Sequence, residues 1–248
     1  LDQIVFSSRH QGEIFIIDHS TTTEEAASHS GGDSGMGGDF LYRWGGPGNY
    51  ERGNNADNIL SSQHGVNWIP QGYPGAGNLI LFNNEHSGNN AAALEIATPL
   101  QADGSYELNG DDPYGPDTWT WIYDVNISSA MQSGAFRLPN GNTIITEAQH
   151  ARIKEVTSAG QIVYQYEYPS NNVMIARASK YAPEFFDSAY MLGDVNGDEA
   201  IDILDVVQTV NIVLGSATPS PAADMNQDGI VNVLDVIQLI NIILGNNR

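Results

Sequence analysis

The stretch 194–215 recurs at 224–245, 30 positions later, with 11 of its 22 residues identical. Asp194/Asp224, Asn196/Asn226, Asp198/Asp228, Asp205/Asp235, Gln208/Gln238 and Asn211/Asn241 coincide in the two copies. Each copy reads D-x-N-x-D-x-x-x-[DN]-x-x-D, which places side-chain oxygens at loop positions 1, 3, 5, 9 and 12. With a backbone carbonyl at position 7, that is the spacing at which a loop wraps a hard cation. A segment so built folds as loop then helix, and the apolar stretches 203–214 and 233–244 are the expected helices. The connector 216–223 carries Pro219 and Pro221.

Oxygen donors without imidazole or thiolate select Ca²⁺ over a transition metal. The first predicted site is Asp194, Asn196, Asp198, the Ala200 carbonyl, Asp202 and Asp205. The second is Asp224, Asn226, Asp228, the Ile230 carbonyl, Asn232 and Asp235. Position 6 favours Gly for its positive φ. Gly229 meets that demand and Glu199 does not, so the first loop is expected to be the more strained and the weaker. Uncompensated carboxylates repel one another, which couples metal binding to folding here.

Composition removes several alternatives. Nine Lys+Arg against 30 Asp+Glu leave a formal charge of −21, the wrong sign for a phosphate backbone, so no nucleic-acid partner is expected. The absence of Cys excludes disulfides, thiolate nucleophiles and zinc–thiolate sites. No run of about 18 apolar residues exists, so no membrane span is expected. The chain opens on Leu1 inside what reads as a strand, and a processed chain or fragment is the expectation.

Before residue 190 the texture is different. Short β-branched and aromatic runs at 4–7, 13–18, 41–44, 66–69, 79–83, 92–96, 118–123, 143–146, 152–156, 162–168 and 173–176 lie between Gly, Pro, Asn and Asp. Such runs are strands, and no window carries a helical stripe, so this part is all-β. Trp68-Ile69-Pro70 with Gly77-Asn78-Leu79-Ile80-Leu81 is echoed by Arg137-Leu138-Pro139 with Gly141-Asn142-Thr143-Ile144-Ile145. Each echo continues into a second strand and a Trp/Tyr-rich third, and 4–44 forms a further unit with a long insert at 19–39. Four strands per repeat reads as a propeller blade, with about three blades present. The domains are expected at 1–185 and 186–248.

The tandem loop–helix pair at about 192–245 resembles a type I dockerin, a module that docks secreted proteins onto cohesins. At loop positions 10 and 11 stand Ile203-Leu204 and Val233-Leu234, where cellulosomal dockerins carry small hydroxyl residues, and basic residues are missing after the loops. The partner implied is cohesin-like, or a surface of this chain itself through the apolar helices.

Residues 1–185 resemble the arylsulfotransferase family. The resemblance rests on Ser7-Ser8-Arg9-His10-Gln11, the segment Ile16 to Ala27, Gly38-Asp39-Phe40-Leu41-Tyr42-Arg43-Trp44-Gly45, Gln63-His64, Leu81-Phe82-Asn83-Asn84 and Ser133 to Thr143. It implies a six-bladed β-propeller that moves a sulfuryl group from a phenolic sulfate donor to a phenol acceptor through a sulfated histidine. By motif, His64 matches the nucleophile and Arg9 a sulfate-binding arginine, while Gly65 stands where Asp is common. A neutral imidazole attacking sulfur and a bidentate guanidinium on the sulfuryl oxygens make coherent covalent catalysis. Against this stand His64 as a hydrogen-bonded blade-edge histidine and Arg9 as a partner for Asp18 or Glu13.

His10 is expected at the surface, His19, His29 and His86 form no metal motif, and His150 is a lesser channel candidate. Gly32-Asp33-Ser34-Gly35 reads as a flexible loop rather than a protease nucleophile, and Asp111, Asp112 and Asp117 as a solvated turn. Two functions compete: a secreted sulfuryl transferase with a calcium-dependent docking module, and a non-catalytic extracellular protein assembling through propeller edges and that module. Two copies supplying three blades each would close one ring as a homo-oligomer. Calcium loops and acidity point to an extracellular or periplasmic setting.

Overall fold

The computed structural model describes residues 1–88, 90–170, 173–181 and 191–245. It divides into two compact units, Leu1–Lys180 and Tyr181–Arg248. The boundary expected at 185/186 lies outside the described residues.

The first unit is three antiparallel sheets. β1 (Gln3–Ser8), β2 (Glu13–Asp18) and β3 (Phe40–Trp44) form one; β4 (His64–Trp68), β5 (Leu79–Ser87), β6 (Asn90–Ile96) and β7 (Trp121–Asp124) form the next. β8 (Gly134–Arg137), β9 (Thr143–Glu147), β10 (Arg152–Val156) and β11 (Ile162–Glu167) form the third. Each sheet is a meander of sequential neighbours.

The period-2 alternation of a strand explains how the sheets pack. On β5, Leu79 and Leu81 join Ile14, Ile16, Tyr42 and Trp44 of the first sheet, while Ile80 and Phe82 join Ala135, Ile145 and Val156 of the third. A strand buried on both faces therefore reads as the unbroken run Leu-Ile-Leu-Phe. Truncating a side chain such as Leu79 to Ala in a core of this kind costs about 2–5 kcal/mol. The opening strands gather, β1 beside β4 and β4 beside β8. Gly65 has φ +69°, which strains any other residue, and a Cβ there would lie 3.3 Å from the Gly134 Cα, a tight fit where β4 approaches β8.

The structure corrects four expectations. The first sheet has three strands rather than four. Residues 173–176 form no strand, because their hydrogen bonds go singly to different elements: Ile175 N to Ala148 O and Ser133 N to Ala176 O. β8 was not among the expected strands, and residues 118–120 precede β7 instead of belonging to it. The insert carries one helical turn, α1 (Thr23–Ala26), closed by a Thr22–Glu25 capping box. Among the described residues the three sheets do not close into a ring.

In the second unit, α2 (Ile203–Val213) and α3 (Val233–Ile243) pack on each other through Val206, Met225 and Leu239. Asp202 and Asn232 are the N-caps, each paired in a capping box with the aspartate three residues on. Gly215 and Gly245 follow the helices at φ 72° and 70°. No helix among the described residues is long and apolar enough to cross a membrane.

Candidate functional site

Both predicted metal loops are built on one hydrogen-bond plan. At position 1, Asp194 accepts from the backbone amides of Gly197 (2.7 Å), Asp198 (3.1 Å) and Glu199 (2.9 Å). Asp224 accepts from Asp228 (3.2 Å) and Gly229 (2.9 Å). At position 12, Asp205 takes the amides of Val195, Asn196 and Asp202, and Asp235 those of Met225, Asn226 and Asn232. The last aspartate thus ties the loop's first half to the start of its helix. Both are fully buried, and residues 191–245 hold eight acids and no Lys, Arg or His.

Buried anions with no cationic side chain within residues 191–245 fit a bound divalent cation, which would supply the missing charge. The donor types fit as well: four carboxylates in the first loop and three in the second, with Asn196 and Asn226 beside them. Among the described residues no three Asp, Glu or His side chains are gathered closely enough to hold an ion. The carboxylates at positions 1 and 12 point at amides, and Asn196 and Asn226 donate to Asp198 and Asp228. In the second loop Asn232 also donates to the Ile230 carbonyl at 3.2 Å.

Strain is shared differently from what the sequence predicts. Glu199 does take φ 67°, but Gln227, at position 4 of the second loop, takes φ 58° where the first loop has Gly197. Each loop holds one non-glycine residue in the left-handed region, at a cost of order 1–3 kcal/mol. Strain alone therefore does not make the first loop the weaker.

In the sheet unit, His64 opens β4 and Arg9 sits in the turn between β1 and β2. Fully buried Gln63 joins them: its Nε2 donates to the carbonyls of Ser8 and Glu13, both at 3.0 Å. Arg9 donates from one terminal nitrogen to the Ala130 carbonyl at 3.0 Å, and its buried Nε has no partner. Glu13 is taken by Arg43 and Asp18 by Ser20 and Ser34, so neither binds Arg9. Half-buried His64 places Nδ1 2.8 Å from Asn84 Oδ1. Asn84 in turn donates to the carbonyls of Ser129 and Gln132. His64 and Arg9 are thus both anchored to the loop between β7 and β8.

His150 is exposed and bonds the Ser128 carbonyl of the same loop at 2.9 Å. His10 is exposed; His19 and His29 pair with Asp2 and Asp39. A cavity of about 240 Å³, lined by Asp2, Asp18, Asp33, Asp103, Tyr106 and Tyr114 among others, includes neither His64 nor Arg9. The Asp111–Asp112 turn is held by Arg52, which bonds the carbonyls of Gly110 and Asp112. The role of Asn84 was not assigned from sequence. Its signal was there: a strand core that runs on through two asparagines, both fully buried.

Residues 192–244 match the model of the Dockerin type I domain family, and the chain carries such a domain there. Calcium binding is a property of these domains, in agreement with the donor chemistry of the loops. The comparison with curated proteins finds no match. One similar solved structure is a catalytically inactive H270A virginiamycin B lyase from Staphylococcus aureus with quinupristin. It is 16% identical at a TM-score of 0.31, covering 71% of this chain, which spans 55% of that protein. A likeness of that size carries no argument about activity, and the arylsulfotransferase resemblance gains no support from it.

Proposed function

We propose that this is an extracellular protein docked to a cohesin-like partner through residues 192–244, whose two loops order around Ca²⁺. The observation that carries the reading is the pair of fully buried aspartates, Asp205 and Asp235, in a stretch, residues 191–245, without one cationic side chain. A cation in each loop relieves the carboxylate repulsion and fixes the N-termini of α2 and α3. The outer faces of those helices expose Ile203, Leu204, Val207, Val233, Leu234 and Ile237, an apolar surface suited to a partner. Circular dichroism and binding to an immobilised type I cohesin test this together. EGTA should abolish binding and reduce the helical signal, and excess Ca²⁺ should restore both; helices indifferent to EGTA would defeat the reading.

The sheet unit supports a second reading, as three blades of a propeller that performs sulfuryl transfer at His64. Its specific support is the buried, partnerless Nε of Arg9 in the cluster that holds His64. An anionic sulfate ester would satisfy that donor. His64 would attack sulfur, forming an N–S bond as the S–O bond to the departing phenolate breaks. An acceptor phenol then takes the sulfuryl group, its proton passing to water as the N–S bond breaks. Release of p-nitrophenol from p-nitrophenyl sulfate should require an added phenol and vanish in His64→Ala. No release from the folded chain would leave the sheets a structural or binding role.

A further inference from the structure

The contacts of Asn84 determine which nitrogen of His64 carries its hydrogen. One end of the Asn84 amide faces two backbone carbonyls, those of Ser129 and Gln132, the latter at 3.0 Å. Carbonyl oxygens only accept, so that end is the NH₂. Turning the amide over would set its oxygen against two carbonyls inside a fully buried site, which no donor there would relieve. Oδ1 therefore faces His64 Nδ1 at 2.8 Å, and because Oδ1 only accepts, Nδ1 must donate.

The carbonyls that orient the amide are themselves held. The Ala130 amide donates to Gln149 Oε1 at 2.6 Å, the Ala148 amide to Ser133 Oγ at 3.1 Å, and Ser129 and Ser133 share a hydroxyl bond at 2.9 Å. The loop cannot readily turn its carbonyls away from Asn84.

We infer that Asn84 is a positioning residue that fixes neutral His64 with hydrogen on Nδ1 and leaves Nε2 as a bare lone pair. A ring nitrogen is a nucleophile or base only when it carries no hydrogen. Asn84 thus decides which end of the ring can react, and no other described side chain bonds Nδ1. The inference deepens the sulfuryl-transfer reading, resting on it only for what Nε2 attacks.

The test is spectroscopic. Long-range ¹H–¹⁵N spectra of the full chain distinguish hydrogen-bearing from bare ring nitrogens, with the His64 signals assigned by their loss in His64→Ala. At a pH where the ring is neutral, wild type should show a hydrogen-bearing Nδ1 and a bare Nε2. Asn84→Ala removes the acceptor opposite Nδ1 and should lose that pattern. Hydrogen on Nε2 in wild type would overturn the inference, whether or not that variant folds. The expected spectrum without transfer from p-nitrophenyl sulfate would reject the sulfuryl-transfer reading and leave the positioning role standing.

Discussion

Asp18 shows how single polar residues organise the long insert between β2 and β3. Its carboxylate accepts from the Ser20 amide at 2.9 Å and the Ser34 amide at 2.8 Å, and from the Ser20 hydroxyl. Burial pushes its pKa up, but the combined hydrogen bonds from Ser20 and Ser34 outweigh it and hold the group well below the usual carboxylate range. A depressed folded pKa contributes stability that is complete above the unfolded value and lost as pH falls through the folded one. Wild type should therefore lose stability below about pH 4 partly through this group. Asp18→Asn should be less stable at pH 7 and show a shallower acid dependence in urea melts; parallel pH curves for the two proteins would refute that. Gly32-Asp33-Ser34-Gly35 is thereby explained as a carboxylate-bound turn, since the Ser34 amide is what Asp18 holds.

At the scale of elements, the metal module was the most legible part of the sequence. Its helix starts follow from local chemistry alone: Asp202 and Asn232 accept from the amides of Leu204 and Leu234, at 2.7 and 2.8 Å. The two caps nevertheless differ, since Asn232 spends its amide nitrogen on Ile230 while Asp202 brings a charge to the donor set. In EGTA, Asp202→Ala and Asn232→Ala should each cost about 1 kcal/mol. In saturating Ca²⁺ the Asp202 change should cost distinctly more, read by urea unfolding with and without the metal. Costs no larger in calcium than in EGTA would show that position 9 is a cap and no ligand. Most strands were equally readable, from β-branched runs between turn residues. β8 was not, because Gly-Ala-Phe-Arg has no β-branched residue; tertiary packing of Ala135 on Ile145 makes it a strand. The run 173–176 has the composition of a strand but lies where no ladder partner is offered. The His64 cluster was legible in its titratable members and silent in Asn84, whose role depends on carbonyls 45 and 48 residues away.

For the whole molecule, the division of charge decides how calcium acts on stability. Every Lys, Arg and His described lies in the sheet unit, where buried pairs such as Glu13–Arg43, Glu95–Arg137 and Glu147–Lys154 neutralise acids internally. Removing one partner of such a pair leaves an uncompensated buried charge, so that unit has its counter-ions built in. Residues 191–245 have none and must take theirs from solution. A cation bound only by the folded module stabilises it by about 2.7 kcal/mol at a hundred times its dissociation constant. Scanning calorimetry of the full chain should therefore show two transitions, of which calcium raises one and EGTA lowers the same one. Circular dichroism at 222 nm should assign the calcium-sensitive transition to the helices. The other should not move, since its buried glutamates are already paired. If calcium shifts both transitions together, the two units share a folding equilibrium and the division of charge does not confine the metal's effect. If it shifts neither, the loops fold without metal and their amide-bound aspartates are sufficient by themselves.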